Sequence, residues 1–318
     1  MGAIMNFKFN QILLITFLTT FMAIGYANPE SSNEVLYKPF ILSQHLKTAD
    51  INKVSTSVKQ RVKAGGFDIV GEYSPYSGAN IIIVSSPALR QYASQSENGI
   101  YAAIQRISVT VVDNTTQVSF TNPTYMAHAY RLKTDLVDVK KRLKKQLGFI
   151  KEFGSNKGLS KTTLRKFRYK QWMMMPNFSD RLELATFPNQ KNALKTVLKT
   201  LRNNKSGVKK VYQVTLDGKN ETIIGVKLSG SSPDDCGSDN FIMKQIDSKK
   251  IKSTGHLPYE VLIKNGNVYA LFAEFRIALN FPDLSMMGKN GFTSIMCAPS
   301  SIQTALTLAT GGNTDDAW

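Results

Sequence analysis

The stretch PYEVLIKNGNVYALFAEF, residues 258–275, carries the clearest fold signal in the chain. Two runs rich in β-branched and aromatic residues, Pro258 to Lys264 and Asn267 to Phe275, flank the dipeptide Asn265-Gly266. An Asn-Gly pair suits a two-residue β-turn, because both central residues of that turn take a positive φ. The stretch therefore predicts an antiparallel hairpin, and with it a sheet built from local strand pairings.

Elements of the same kind precede this hairpin in a similar order. Ile104 to Val112 is predicted to pair with Gln117 to Thr121 across Asp113-Asn114, and an amphipathic helix carries Ile51, Val54, Val58 and Val62. A second helix carrying Ala193, Val197 and Leu201 precedes the 258–275 hairpin. These patterns predict an α+β fold of two tandem units, each an antiparallel sheet with helices covering one face. Chance similarity between common hairpins is the alternative, since few residues match between the halves.

The predicted organisation divides the chain at changes of composition and pattern. It comprises a signal peptide (1–27), a linker (28–34), a first α+β unit (35–148), a basic connecting segment (149–180), a second α+β unit (181–310) and a C-terminal tail (311–318). A ligand is expected on a sheet face that the helices leave open, or in the crevice between the units.

The first 27 residues resemble a secretory signal peptide. Lys8 precedes an apolar run from Ile12 to Ile24, and the small-residue exit Gly25-Tyr26-Ala27 follows. A run of about 13 residues is short of the roughly 20 that cross a bilayer. The sequence predicts a periplasmic or secreted, soluble mature protein with no transmembrane span. An uncleaved N-terminal anchor is the alternative.

Basic residues dominate the charge, with 40 Lys and Arg against 23 Asp and Glu and a formal net charge of +17. Much of the excess falls in residues 131–170, including a predicted helix from Asp135 to Leu147 with Lys140, Lys141, Lys144 and Lys145 on its outer face. Export argues against a nucleic-acid partner, so an anionic envelope component is the charged partner predicted. An ordinary solvated helix face is the alternative.

The sequence lacks the common catalytic motifs. It has no nucleophile elbow, phosphate-binding loop, dinucleotide fingerprint or short metal-binding motif, and only three histidines, which lie far apart. This favours a binding or accessory protein for an unknown small molecule over an enzyme. His256 and Arg276 are the candidate ligand-binding residues, with Arg276 as an anion-binding group. Arg276 is predicted on a strand, where it could share a face with Glu274.

Cys236 and Cys297 are the only cysteines. In an oxidising compartment they are expected to form a disulfide, which would close a loop of about 60 residues and contribute roughly 4 kcal/mol. Free thiols at a site would instead indicate an envelope thiol or redox enzyme. Both readings stay open on the sequence.

Methionines cluster at Met173-Met174-Met175, at Met286-Met287 and at Met296 beside Cys297. Soft sulfur ligands suit copper(I), so a copper carrier, or a haem carrier with Met and His ligands, is a further alternative. Adjacent methionines also fill irregular gaps in a core, and no Met-x-x-Met repeat occurs. No metal site is assigned, and the cofactor is left unknown.

Three short motifs resemble those of a known family. They are Gly66-Phe67-Asp68-Ile69-Val70, Thr121-Asn122-Pro123, and the run from His256 to Leu262 before the Asn265-Gly266 turn. Together they resemble the bacterial domain-of-unknown-function family 302, whose members look like small α+β domains of the TATA-binding-protein-like class. The resemblance implies this fold, possibly in two divergent copies. It implies no activity and no catalytic residues.

Overall fold

The computed structural model describes residues 34–171, 174–203, 206–230 and 235–313. Residues from Val35 onward belong to one compact unit with a mixed α+β fold, which confirms the predicted class. The strands are β1 (Leu36–Tyr37), β2 (Phe40–Leu46), β3 (Asp68–Tyr73), β4 (Ala79–Ser85), β5 (Gln105–Val112), β6 (Thr115–Thr121), β7 (Lys151–Phe153), β8 (Leu159–Ser160), β9 (Arg181–Thr186), β10 (Val208–Thr215), β11 (Glu221–Leu228), β12 (Tyr259–Lys264) and β13 (Asn267–Leu271). The helices are α1 (Ile51–Ala64), α2 (Pro87–Ser94), α3 (Pro123–Ala129), α4 (Val137–Leu147), α5 (Lys161–Arg165), α6 (Gln190–Asn203), α7 (Asp239–Ile246), α8 (Ala273–Asn280) and α9 (Ala298–Thr310).

Two antiparallel sheets organise the chain. The first has the order β3-β4-β5-β6-β2-β7 and the second the order β10-β11-β12-β13-β9, while β1 and β8 form a separate small pair. Helices α1 and α4 pack on the first sheet, and helices α6 and α9 pack on the second. Each sheet therefore has one helical layer, as the sequence predicts.

The two halves share their element order. From β2 to α4 the chain runs β-α-β-β-α-β-β-α-α, and from β9 to α9 it runs through the same nine elements. The five strands of each set also lie side by side in the same order, with the first strand of the set next to the last. Strand β7, from the predicted connecting segment, adds a sixth strand to the first sheet.

The 258–275 stretch forms the predicted hairpin only in part. Strands β12 and β13 pair across Asn265 and Gly266, whose φ values are +52° and +91°, so the turn prediction is confirmed. The strand prediction beyond Leu271 is wrong, because the chain turns into helix α8 at Ala273. Almost every residue of this short helix is buried, so it shows no amphipathic period by which the sequence could reveal it.

Arg276 consequently lies on a helix. Residues two apart on a helix point in different directions, so Glu274 and Arg276 do not share a face. Helices α2 and α7 and strand β9 are further elements without a counterpart in the predicted order.

Each sheet is covered on its second face by a segment of the other half. The turn Thr254–His256, which follows α7, packs on β4, β5 and β6 of the first sheet. The turn Gly99–Ala102, which follows α2, packs on β11 of the second sheet. Both segments connect the third and fourth strands of their own sets. We refer to this arrangement as the reciprocal cover.

Hydrogen bonds support the reciprocal cover in both directions. The side chain of Gln117 on β6 donates to the carbonyl of Lys250 (2.8 Å) and accepts from the N–H of Lys252 (3.0 Å). The carbonyl of the Asn98 side chain accepts from Arg181 on β9 (3.0 Å). Each half therefore covers the sheet of the other half, and side-chain hydrogen bonds hold the covering segment in place.

The inner face of the first sheet is polar although it is buried. Alternate residues of β5 and β6 point away from the α1–α4 layer, and they are nearly inaccessible: Arg106, Ser108, Thr110, Gln117, Ser119 and Thr121. One of them, Thr110, donates a hydrogen bond to the hydroxyl of Thr254 in the covering turn (2.9 Å). The inner face of the first sheet is therefore a polar layer at the junction, while one apolar cluster runs through both halves around it.

Candidate functional site

The structure brings His256 and Arg276 together at the junction of the two halves. One guanidinium nitrogen of Arg276, Nη2, donates to the carbonyl oxygens of His256 (2.8 Å) and Pro258 (2.9 Å). Arg276 is 1% exposed and His256 is fully buried. The two residues are thus neighbours, as a shared site requires, but they lie inside the molecule.

The charge of Arg276 is balanced by a carboxylate that the sequence analysis did not single out. Glu260 on β12 lies 3.4 Å from Arg276 through Oε2, and its Oε1 accepts from Arg106 on β5 of the other half. The hydroxyl of Tyr212 also donates to Glu260 (3.0 Å). Burial is the largest single effect on the pKa of Arg106 and lowers it, but Glu260, Tyr130 and Tyr212 together raise this pKa above its ordinary value. We call Arg106, Glu260 and Arg276 the buried triad.

Two glycines make room for this arrangement. The Tyr212 ring crosses the second sheet directly over Gly225, where a Cβ would collide with it. On the other side, Gly71 of β3 lies against the backbone of β10, with a hypothetical Cβ only 2.7 Å from the carbonyl oxygen of Val211. A side chain at Gly71 would push β3 away from β10, and one at Gly225 would displace the Tyr212 ring, whose hydroxyl reaches Glu260.

His256 is held as a neutral ring. It packs edge-on against Tyr259 and Phe281, with ring centroids 5.5 Å apart in both cases. Burial, reinforced by the charges of Arg276 and Arg106, holds the pKa of His256 well below its ordinary value. Its geometry favours a packing role, and its role in binding a ligand stays a prediction.

The cysteines are bonded to each other. Cys236, before α7, and Cys297, before α9, form a disulfide with their Cα atoms 6.0 Å apart. Within the described ranges, the hydrogen bonds, ion pairs and ring contacts of His256 and Arg276 do not include either cysteine. The four residues singled out from the sequence therefore form two separate features, a disulfide and a buried polar cluster.

A small cavity lies at the same junction, farther along the segment that covers the first sheet. Its volume is about 110 Å³. It is bounded by the end of β7, by the loop after α7 and by the segment after α8. Its lining residues are Phe153, Gly154, Ile246, Asp247, Ser248, Lys249, Ile251, Ser253, Phe281, Asp283, Leu284, Ser285 and Asn290. We call this the junction cavity.

Asp247 is the buried polar group of the junction cavity. Both its carboxylate oxygens accept from the N–H of Ser253 at 3.0 Å, which fixes the side chain, and Lys252 donates to its backbone carbonyl (2.8 Å). Burial raises the pKa of Asp247 to about 7, against the opposing effects of the Ser253 N–H, Lys252 and Lys249. Near neutral pH the group can therefore donate or accept a proton.

The rim of the cavity carries the other charged groups. The carboxylate of Asp283 accepts from the N–H of Asn156 (2.6 Å) and lies 3.6 Å from the ammonium group of Lys249. Lys249 is the only basic residue in the lining, which also contains Asp247. With both carboxylates ionised, the lining carries a net charge of one negative unit.

A second cavity, of about 350 Å³, lies on the other side of the same loop. Tyr76, Asn240, Met243, Lys244, Asp247, Ser248 and Lys252 line it. Asp247 and Ser248 belong to both linings, so the loop after α7 forms a thin wall between two cavities. The hydroxyl groups of Tyr76 and Thr254 lie 3.0 Å apart and connect this loop to the first half.

Little in the sequence points to this site. Phe153, Asp247 and Asp283 come from segments that are distant in the chain, and Asp247 stands in an otherwise basic loop, Ser248-Lys249-Lys250. Asp283 was visible only as the end of a run of alternating charged and apolar residues. Cavities formed by three separate segments leave no local pattern.

Metal and membrane features are few in the described ranges. No three His, Cys, Asp or Glu side chains among residues 34–171, 174–203, 206–230 and 235–313 lie close enough together to hold a metal ion. Met174, Met287 and Met296 are exposed, and Met173 lies outside the described residues. No helix in the part of the chain that the structure describes is long and apolar enough to cross a membrane.

The pH dependence of stability tests the state of Asp247. In the unfolded chain this carboxyl titrates near 3.8 and in the native state near 7. Between these values the native protein binds more protons, so this group makes the free energy of unfolding fall as the pH rises. We expect Asp247→Asn to remove up to about 1.4 kcal/mol per pH unit of that slope, as measured by urea unfolding from pH 5 to 8.

Asp217→Asn is the matched control for this measurement, because Asp217 is exposed in the β10–β11 turn. It should keep the slope of the unaltered protein. His256, whose depressed pKa acts in the opposite direction, is present in both variants and cancels in the comparison. An Asp247→Asn slope equal to that of the control would show that the native carboxyl titrates normally.

Comparison with known proteins gives no further assignment. No protein family, curated protein sequence or solved structure matches the chain.

Proposed function

We propose that this protein is an exported binding protein that takes a small organic cation into the junction cavity. The observation that carries the proposal is a partly open recess with apolar side chains on its walls and a fixed, buried carboxylate, Asp247, in its lining. Sites for small molecules combine these two properties: the apolar wall supplies affinity, and one polar group fixes the orientation.

The size of the cavity limits the ligand to about one ring or a short chain. Its 110 Å³ is somewhat less than the roughly 150 Å³ of an engineered apolar cavity that admits benzene. Phe153 and Phe281 present aromatic surface, which also attracts cations.

The charge of the lining selects the sign of the ligand. Asp247 and Asp283 outnumber Lys249, and the Lys249 ammonium group already lies beside Asp283. Above pH 7, where Asp247 is mainly ionised, an anion would meet two carboxylates, whereas an amine gains a charge-assisted hydrogen bond. A basic nitrogen on an apolar body is therefore the chemistry that fits.

Three probes of similar shape test this proposal: benzylamine, benzyl alcohol and benzoate. By calorimetry and thermal shift we expect benzylamine to bind best and benzoate not at all, because only the amine complements the carboxylates. Asp247→Asn should lower the affinity for benzylamine about tenfold, which is the free energy of one charge-assisted hydrogen bond. The affinity for benzyl alcohol should stay nearly unchanged.

Two further variants keep the test decisive. Ser248 is exposed and lines both cavities, so Ser248→Trp should obstruct the junction cavity and abolish binding of the amine and of the alcohol. Asp217→Asn should bind like the unaltered protein. The proposal would be refuted if benzoate bound as tightly as benzylamine. It would also be refuted if neither Asp247→Asn nor Ser248→Trp changed the binding of benzylamine.

Export is part of the same proposal, and the N-terminal pattern from Lys8 to Ala27 supports it. These residues lie outside the described ranges. The protein isolated from its own cells should begin at Asn28; a chain that begins at Met1 in the cytosolic fraction would contradict export.

We further infer that the halves are divergent copies of one α+β unit, the arrangement that the resemblance to the domain-of-unknown-function family 302 implies. The shared order of nine elements and the reciprocal cover support this inference. Common hairpins alone would not give matching positions for the two covering segments. A structure-based superposition of residues 40–147 on 182–310 that fails to align the five strands would contradict it.

A further inference from the structure

The chain holds two large apolar side chains out into solvent at the end of helix α4. Phe149 is 47% and Ile150 49% exposed. Their backbone is fixed on both sides: the N–H of Gly148 donates to the carbonyl of Lys144 (2.9 Å), and the N–H of Ile150 donates to the carbonyl of Leu42 (2.8 Å). The exposure is therefore built into the fold.

Lysines surround this apolar pair. Lys141, Lys144 and Lys145 follow one another at helical spacing along the exposed side of α4, and Lys151 comes directly after Ile150. The Lys144 ammonium group lies 3.6 Å from the centre of the Phe149 ring. We call Lys141, Lys144, Lys145, Phe149, Ile150 and Lys151 the Phe149 patch.

The charge of the Phe149 patch is uncompensated. In the described structure none of its four lysines makes an ion pair, whereas neighbouring Lys140 is paired with Glu152 at 2.6 Å. Helix α1 ends beside the patch, because Gly65 packs against Gln146, and it contributes Lys63 two residues earlier. The surface around the Phe149 patch is therefore positively charged, and the exposed side chains of Phe149 and Ile150 lie within it.

We propose that the Phe149 patch docks the protein on the surface of an anionic phospholipid bilayer. Lysines are attracted to anionic head groups, and their aliphatic stems can lie along the interface while the ammonium groups stay in water. Phe149 and Ile150, held out from the surface, insert into the boundary between head groups and acyl chains. One apolar pair is too little to hold a protein alone, so the two contributions act together.

The apolar pair distinguishes a bilayer from a soluble polyanion. A nucleic-acid duplex or an acidic polysaccharide would use the lysines but would leave Phe149 and Ile150 in water, and a single strand could stack a base on Phe149 but offers no apolar contact for Ile150. An exposed apolar pair framed by cations instead matches the layered chemistry of a membrane surface, which presents charge outside and hydrocarbon beneath.

Vesicle sedimentation of the full-length mature protein tests this proposal. The vesicles contain either phosphatidylcholine alone or phosphatidylcholine with about 30% phosphatidylglycerol, where the surface charge is substantial. Binding is expected only to the anionic vesicles at low salt, with most of it lost at about 0.5 M NaCl, where screening is short-ranged.

Two paired variants separate the contributions. Lys144→Gln with Lys145→Gln should weaken binding roughly 30-fold, the factor expected for two charges near an anionic surface. Phe149→Ser with Ile150→Ser should weaken it about tenfold. The matched controls are Lys191→Gln with Lys195→Gln on α6, and Met287→Ser with Leu308→Ser, since these residues are also exposed; both should bind like the unaltered protein.

The outcomes are distinct. Equal binding to both kinds of vesicle, or equal weakening by the α6 lysine control, would show that the patch has no special role and would overturn the proposal. Loss with the lysine pair but not with the Phe149–Ile150 pair would show purely electrostatic adsorption without insertion and would overturn the proposed mode of docking. A Phe149→Trp variant should also show extra quenching by brominated lipid over the unaltered protein; no extra quenching would exclude insertion.

Discussion

Glu260→Gln is expected to lower the free energy of unfolding by about 3–5 kcal/mol, the cost of leaving buried charges without their partner. Glu260 is the only carboxylate of the buried triad and faces two guanidinium groups, Arg106 and Arg276. Its removal leaves two cations in a layer from which water is excluded. The measurement is urea or guanidinium unfolding monitored by circular dichroism.

A second variant gives the expected order of effects. Arg106→Met should cost less than Glu260→Gln, because Glu260 and Arg276 still lie 3.4 Å apart and form a neutral pair. Glu72→Gln, which breaks the Lys59–Glu72 pair on the surface, is the control and should cost no more than about 1 kcal/mol. A Glu260→Gln cost as small as that of the control would mean that the triad does not hold the halves together.

Replacing both cysteines with serine is expected to destabilise the protein by about 4 kcal/mol. The Cys236–Cys297 bond joins residues 61 positions apart, and in the chain-entropy description a loop of this length restricts the unfolded chain substantially. The bond also ties the segment before α7, which leads into the covering loop, to the start of α9. Thermal unfolding with and without reductant provides the measurement.

The double serine variant is its own control for the reductant. Its unfolding midpoint should not respond to dithiothreitol, whereas that of the unaltered protein should fall to the level of the variant. Mass spectrometry after treatment with an alkylating reagent should show that neither cysteine of the native protein is alkylated before reduction. A native thiol that alkylates readily would contradict the disulfide and reopen the redox alternative.

Elements with a strong local pattern were predictable from the sequence. Helix α1 presents Val54, Val58 and Val62 to the first sheet, and Asp50 accepts from the N–H of Lys53 at its start. The turn at Asn265-Gly266 follows from two residues that tolerate positive φ. In both cases the deciding interactions lie within a few positions along the chain.

Elements decided by tertiary burial were not predictable. The polar residues Ser108, Thr110 and Ser119 alternate with apolar ones, which is typical of a strand with one solvated face. The structure buries this face under the other half. Similarly, α8 is surrounded by protein on all sides, and a short apolar run of this kind reads equally well as a strand.

Little of the candidate site could be predicted from the sequence. The sequence led us to expect a ligand in the crevice between the halves or on an open sheet face, and that expectation stays a prediction; the junction cavity lies between β7 and two segments of the second half. His256 and Arg276 stood out because charged and aromatic residues among strong strand formers attract notice. Asp247 did not, since its burial and raised pKa arise from the packing of the loop against the first sheet.

The reciprocal cover also constrains the order of events during biosynthesis. The ribosome completes the first sheet long before it makes residues 239–256, which bury that sheet's inner face. Until then the polar inner face of the first sheet is open to water and Arg106 lacks its partner Glu260, so a chain that stops before residue 239 should be more sensitive to protease than the full chain. Under the export that we propose, a precursor whose first sheet is covered this late would stay loosely folded for longer, which is the state that a translocation channel requires.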